Sequence, residues 1–289
     1  MNYFDLHCDT PYEIHKKCLP FKNGDCAVNK DKGEIFDKWC TLCAVWVPDD
    51  EKEPQKRFFD ISKNFKAQTD IFENREDLTK DTCFMLTLEG GAPIKDLSDV
   101  DMLYSHGVRV VTLTWNGKNK IAGGANTKAP LTSFGKKVIK RMNELGMVID
   151  LSHINDVSFF DALSISDRVV ATHSCCRSIA NVPRNLTDEQ IKAIIDKKGI
   201  IGICLYPRFL GGDNVFEAFS RHFSHILSLG GEDAVAIGSD FDGALMAKEL
   251  DSVDKIPKLY KYLSKNYHKQ LLDKLFYDNA FNFFWGSVK

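Results

Sequence analysis

No apolar run in this chain approaches the roughly 18 residues that a membrane span requires, and its first residues, MNYFDLHCDT, turn polar too soon for an export signal. A cytoplasmic protein with no membrane partner is therefore expected. An excess of either charge is also missing, since 38 Lys and Arg stand against 40 Asp and Glu for a formal net charge of -2. That balance gives no broad attraction to nucleic acid or to an anionic surface. No glycine-rich dinucleotide fingerprint follows the first apolar run. Linkers, internal repeats and low-complexity segments are absent as well.

Cysteine is present without the pattern that bridges or binds. Nine is an odd number, so the cysteines cannot all pair within one chain. Cys40, Cys43, Cys83 and Cys204 lie inside apolar runs, where a free thiol behaves as a small core residue. The Cys40-x-x-Cys43 pair has no second copy, and alternation along a strand sends its two sulfurs to opposite faces. Cys8, Cys175 and Cys176 stand beside candidate ligands and are read as bystanders.

What is there is ordinary in composition and regular in order. Hydrophobic content of 44% and charged content of 27% suit a globular protein, and barrels of this length form one domain, so residues 1–289 are expected to be a single domain. Apolar, β-branched runs recur at Tyr3–Leu6, Thr41–Val47, Cys83–Leu88, Val108–Thr114, Met147–Leu151, Arg168–Thr172, Ile200–Leu205 and Ala234–Ile237. Between them lie segments of helical spacing. Phe58, Ile61, Phe65 and Phe72 fall on one face, and Phe134, Val138, Ile139 and Met142 on another. Thr187 with Gln190 is a capping box, with Gly199 as the stop before the next strand. Thr132 and Gly146 bracket an earlier helix.

Strands alternating with helices pair in parallel, and eight such units predict a closed (β/α)₈ barrel. An open doubly wound sheet has similar periodicity. Polar residues separate the two, because only a barrel gathers the C-terminal ends of six different strands around one pocket. The loops Gly117–Leu131 and Pro207–Val215 are long for their position and are expected to shape substrate access. The tail from Ile256 to Trp285 is expected to be helical and to pack around the barrel.

Metal-capable residues sit where the apolar runs stop. His7-x-Asp9 closes the first, and alternation puts both side chains on one side. Glu89, in LEGG, ends the third, with two glycines behind it that permit close backbone approach. His153, in IDLSH, and His173, in ATHS, end the fifth and sixth. Any one of these histidines reads as a hydrogen-bonded structural residue. Together, five oxygen and nitrogen donors from separate strands are what a two-metal hydrolytic site requires. Asp240, in IGSDFDG, follows the eighth strand and serves either as an acid/base or in an Asx turn, with Asp242 shaping the turn at Gly243. Arg184, beside Asn185, either holds a substrate carboxylate or pairs on the surface with Asp188 or Glu189. Tyr206 follows the seventh strand and either bonds substrate or walls the pocket.

The segments FDLHCDT, LEGG, DLSH, HSCCRSIANVPRNLTDEQI and IGSDFDG, in this order from about Tyr3 to Gly243, resemble the membrane (renal) dipeptidase family of zinc metallopeptidases within the amidohydrolase-like barrels. The resemblance implies two zinc ions per chain, with His7 and Asp9 on one, His153 and His173 on the other, and Glu89 bridging. It further implies Asp240 as the acid/base, Arg184 as the carboxylate anchor, Tyr206 near substrate, and a homodimer. One position departs. Where well-understood family members carry a histidine after the fourth strand, this chain reads TLTWNGKN, with Trp115 there and Asn116 next to it. An indole N–H does not reproduce an imidazole, so Trp115 and Asn116 bear on which substrate is bound.

The reading is a zinc-dependent dipeptidase in which a metal-bridged hydroxide attacks the peptide bond of a dipeptide. Cobalt or manganese would also suit the mixed ligands. Two alternatives stand beside it: an amidohydrolase for N-acyl amino acids or dipeptides containing a D-residue, and a non-catalytic barrel that retains metal. Retention of Asp240, which a purely structural metal site does not need, weighs against the second.

Overall fold

Eight parallel strands close into a barrel in chain order in the computed structural model, which describes residues 1–287. They are β1 (Asn2–Cys8), β2 (Lys38–Trp46), β3 (Thr82–Glu89), β4 (Val110–Thr112), β5 (Val148–Asp150), β6 (Val169–Ala171), β7 (Ile200–Ile203) and β8 (Val235–Ile237). Every one falls on an expected apolar run. Asp5 of β1 opposite Ile237 of β8 closes the ring, so the sheet is a barrel and not an open layer.

Parallel strands covered on both faces must be apolar on both, which is why these runs are continuous and not alternating. Inward residues two apart, Phe4 and Leu6, Cys40 and Leu42, Cys83 and Met85, join Val110, Val148, Val170, Ile200 and Ala236 in the interior cluster. Cys43 lies instead in the outer layer, its Sγ 4.0 Å from that of Cys8, so the two sulfurs of the Cys-x-x-Cys pair do face apart. Pairing of β1 with β2 slips between Asp5 and Cys8. This irregularity lets Leu6 stay in the interior, Cys8 join the outer layer and His7 turn to the mouth.

The helices form where caps and apolar stripes coincide. Thr132 accepts from the Gly135 amide to start Ser133–Glu144, which buries Val138, Ile139 and Met142 and ends at Gly146 with φ +72°. Thr187 and Gln190 make the expected reciprocal cap of Asp188–Asp196. Two details differ. Helix Pro54–Lys66 buries Phe58, Ile61 and Phe65 but ends before Phe72, whose amide instead pairs with the carbonyl of Phe84. After Asp196 the left-handed residue is Lys198, at φ +57°, and not Gly199.

The tail runs beneath the barrel and not only around it. Phe284, in the helix Asn279–Ser287, stacks on Phe4 with centroids 5.6 Å apart, and Tyr277 lies 6.1 Å from the same ring. These side chains seal the N-terminal end of the interior, leaving the opposite end as the open mouth. Among the described residues no helix is long and apolar enough to cross a membrane.

Candidate metal centre

Five side chains from β1, β3, β5 and β6 converge at that mouth, and all are buried. His7 Nε2 lies 3.4 Å from Asp9 Oδ2 and 3.5 Å from Glu89 Oε2. His153 Nε2 and His173 Nε2 are 2.8 Å apart, at 2.8 and 3.7 Å from Glu89 Oε1. Glu89 thus offers one oxygen to His7 and Asp9 and the other to the two remaining histidines. His7, His173 and Asp240 form a third overlapping group, so Asp240 stands at the same cluster.

The local backbone serves this arrangement. Gly90, at φ +93°, carries no Cβ because one would lie 2.2 Å from the carbonyl of Val47. Its absence lets the end of β3 press against the loop after β2 and aim Glu89 inward. His153, Asp240 and Asp242 hold φ near +65°, a conformation that costs non-glycine residues of order 1 kcal/mol or more and is concentrated at functional sites. Asp242 does more than turn the chain. It accepts from the Thr10 hydroxyl at 2.6 Å and from the amides of Ala27 and Val28, tying the loop after β8 to the segment after β1.

Burial and mutual charge set the electrostatics of the cluster. Burial pushes the Asp9 carboxyl up to about 7, with Glu89 adding to the shift. Burial does the same for Asp240, also to about 7, against the opposing pull of His7. For His7 burial works downward, yet the Glu89 and Asp9 carboxylates carry it well above its ordinary value. His153 and His173 are held well below theirs by burial and by neighbouring positive groups, Arg184 among them. His7 Nε2 and Asp9 Oδ1 are buried with no hydrogen-bond partner. Orphaned donor atoms among crowded carboxylates and neutral imidazoles fit divalent cations, which would satisfy the lone pairs and offset the negative charge.

Outer contacts hold these side chains in that posture. Asn116 Oδ1 is 2.9 Å from His153 Nδ1, so that nitrogen carries the proton and Nε2 is bare. Asp5 accepts from the Ser239 amide and hydroxyl, and the Ser239 oxygen also lies 3.0 Å from the His7 carbonyl. Asp5 and Ser239 were missed in the sequence. Asp5 left a signal, a carboxylate inside the apolar run Tyr3–Leu6.

A cavity of about 480 Å³ opens over the cluster, in the size range of small-molecule sites. Of the expected substrate residues, Trp115, Asn116 and Tyr206 line it, as does Asp240. Arg184 lies behind this lining, its guanidinium 5.2 Å from the ring of Phe209 and donating to the His173 carbonyl at 3.1 Å. It is buried, and its Nε has no partner. The surface pairing considered for it is not what forms, because Asp188 takes His225 and Ser178 instead. The loop after β4 is pinned. Asp49 accepts from the amides of Trp115 and Gly117 and from Asn119 Nδ2.

A closed (β/α)₈ barrel with a buried His, Asp and Glu cluster at its C-terminal mouth has the form of the amidohydrolase-type metallopeptidases. The comparisons with known proteins make this definite: the chain belongs to the membrane dipeptidase family, peptidase family M19, whose model matches residues 1–285. It is a metal-dependent peptide-bond hydrolase. An uncharacterised protein in the pqqA 5′ region of Klebsiella pneumoniae is 35% identical over 74% of this chain and 84% of that protein. The dipeptidase verJ of Clonostachys rogersoniana is 34% identical over 56% of this chain and 44% of its own length. In structure, a metallo peptidase from Rhodobacter sphaeroides, liganded with a phosphinate mimic of the dipeptide L-Ala-D-Ala, superposes with a TM-score of 0.91. It shares 21% identity, with 100% of this chain and 99% of that one covered, a likeness of fold.

Proposed function

We propose that the chain, as one catalytic domain over residues 1–289, is a dipeptidase that carries two zinc ions. The observation that supports it is the division of five buried donors into two groups that share Glu89, with His7 Nε2 and Asp9 Oδ1 left without a hydrogen bond. His7 and Asp9 would hold one ion and His153 and His173 the other, with Glu89 available to both groups. Metal bound there would supply an activated water and a Lewis acid for the scissile carbonyl.

The remaining work belongs to the protein. Asp240 takes the proton of the attacking water at its carboxylate and returns it to the departing amine, a role suited to a buried carboxylate that stands at the donor cluster and lines the cavity. Cys204 Sγ, 3.6 Å from Asp240 Oδ2, faces this carboxylate from behind. Arg184, with a donor to spare, receives the terminal carboxylate of the dipeptide beside Phe209 and Tyr206. Trp115 and Asn116 close the cavity on the β4 side, with the Asn116 amide oxygen committed to His153. Nine free thiols, eight of them buried, are in keeping with a reducing cytoplasm.

The test is elemental analysis of the purified protein with hydrolysis of L,L- and L,D-dipeptides and N-acyl amino acids, each with and without chelator. Two zinc ions per chain and chelator-sensitive dipeptide cleavage are expected. The Asp240→Asn variant should keep its metal and lose about 10²- to 10⁴-fold in kcat. Cleavage of N-acyl amino acids alone would transfer the site to that substrate class, and absence of metal under replete conditions would end the proposal.

A further inference from the structure

Three aromatic side chains form a continuous wall on one side of the cavity. Tyr12 follows β1, Trp46 ends β2 and Trp115 follows β4. Their rings meet edge to face in series, Tyr12 with Trp46 at 5.2 Å and 71°, Trp46 with Trp115 at 5.3 Å and 67°. Arg57, on the helix Pro54–Lys66, backs this wall without lining the cavity. Its guanidinium lies 4.9 Å from the ring of Tyr12 and 4.9 Å from that of Trp46. It also donates from Nε to the Trp46 carbonyl at 3.2 Å, and its Nη1 is 3.4 Å from Glu51 Oε2. At the far end of the wall, Asp49 Oδ1 accepts from the Trp115 amide, and the next residue, Asn116, is bonded to His153. The wall is therefore fixed at both ends.

We propose that this clamped wall makes the enzyme select dipeptides whose amino-terminal residue carries a large apolar side chain, with Arg57 as a positioning residue outside the cavity. The proposal rests on the dipeptidase reading above. Barrel geometry assigns the end of the substrate: β2 and β6 are four strands apart in a ring of eight, on opposite sides of the mouth. Arg184 follows β6 and Tyr206 and Phe209 follow β7, so a carboxylate held there and a scissile bond over the cluster direct the amino-terminal side chain toward Tyr12, Trp46 and Trp115. Ring faces reward burial of apolar surface and of another ring. They also attract cations, but the guanidinium of Arg57 already occupies that role for two of the three rings. An amino-terminal lysine gains little here and loses hydration, which separates an apolar preference from a cationic one.

The experiment measures kcat/KM of the metal-loaded protein for dipeptides X-Ala, with X as Gly, Ala, Leu, Phe or Lys and the alanine in L and D forms. Phe and Leu are expected to exceed Gly by about tenfold or more, with Lys below Leu. Arg57→Ala and Trp115→Ala should each lower the Phe-to-Gly ratio several-fold, Arg57→Ala chiefly through KM. Calorimetric binding of phosphinate isosteres of Phe-Ala and Gly-Ala to the unmodified protein gives the same ratio without turnover, and guards against a variant that misfolds. Equal rates across X, or a preference for Lys, would overturn the wall while leaving the dipeptidase standing. An Arg57→Ala variant that weakens Gly-Ala and Phe-Ala equally would remove the positioning role. Failure to cleave or bind any dipeptide with both metals present overturns the dipeptidase reading and this inference with it.

Discussion

Thr172 links the Asp150 carboxylate to the His173 imidazole through a single hydroxyl, with Oγ1 2.7 Å from Asp150 Oδ2 and 2.8 Å from His173 Nδ1. A carboxylate only accepts, so the hydroxyl donates to Asp150 and must itself accept from His173 Nδ1–H. That fixes the tautomer and leaves Nε2 bare toward Glu89 and His153. Asp150 is anchored in turn by the Thr112 hydroxyl at 2.6 Å and by the amides of Ser152 and Thr172. Three successive strands thus cooperate to present one nitrogen.

Thr172→Val removes this hydroxyl at nearly constant volume. Metal affinity should fall roughly 10- to 100-fold, the usual cost of losing the group that orients a ligating histidine. Competition against a chelator of known affinity measures it. Unchanged affinity would mean that His173 is oriented by its packing alone.

Gly243→Ala should disable the site without unfolding the protein. A methyl group there would lie 2.0 Å from Asp9 Oδ2 and 2.6 Å from Asp240 Oδ1, so both carboxylates must move. Displacements near 1 Å at reacting groups cost on the order of a hundredfold in rate. Paired measurements of kcat/KM and thermal midpoint check this. Full activity in the variant would show that those carboxylates have room to spare.

The strands were legible because parallel strands buried on both faces leave unbroken apolar runs, and the barrel because polar donors stopped so many of them. His7, Asp9, Glu89, His153 and His173 could be chosen by residue type and position alone. Their support was harder to see. Asp150 and Asp5 are carboxylates inside apolar runs, a signal that points to a buried acceptor without naming its partners. Thr172 carries no signal, since a threonine in a strand is ordinary. Tyr12, Trp46, Phe209 and Arg57 come from separate elements and loops, and their convergence depends on side-chain directions that no period encodes. Phe72 continued a helical spacing past Lys66, where Thr69 and Asp70 are weaker helix formers and pairing with β3 wins. Lys198 took the left-handed position one residue before the expected glycine, a local cost borne so that Gly199 can approach the Val169 carbonyl.

His222 should make the protein lose stability in mild acid. It is buried in the outer layer, accepting from the Cys176 amide at Nδ1 and donating from Nε2 to the Leu210 carbonyl. Burial pulls its value from 6.5 down to about 4. Between those values the unfolded chain binds the proton and the folded one does not, so stability is intact above pH 6.5 and falls as pH drops toward 4. The loss from this one group is about 3 kcal/mol at most. Denaturant titrations from pH 7 to 4 should give a slope one proton shallower in His222→Gln. Equal slopes in the two proteins would place the acid sensitivity elsewhere.

Removing metal should lower thermal stability as well as activity. The apoprotein confines Asp9, Glu89 and Asp240 with three imidazoles in a buried mouth, two of the carboxyls raised to about 7 by that burial. A cation that binds only the folded chain stabilises it by about 2.7 kcal/mol at a hundred times its Kd, enough to raise the midpoint of a domain this size by roughly 4 °C. Differential scanning calorimetry before and after dialysis against chelator, and again after zinc is restored, measures the shift. Glu89→Gln keeps the shape but gives up the charge shared between the two groups, so its response to zinc should be much smaller. A midpoint indifferent to chelator in the unmodified protein would mean that the cluster is stabilised by its own hydrogen bonds and protons, with no cation required to hold it.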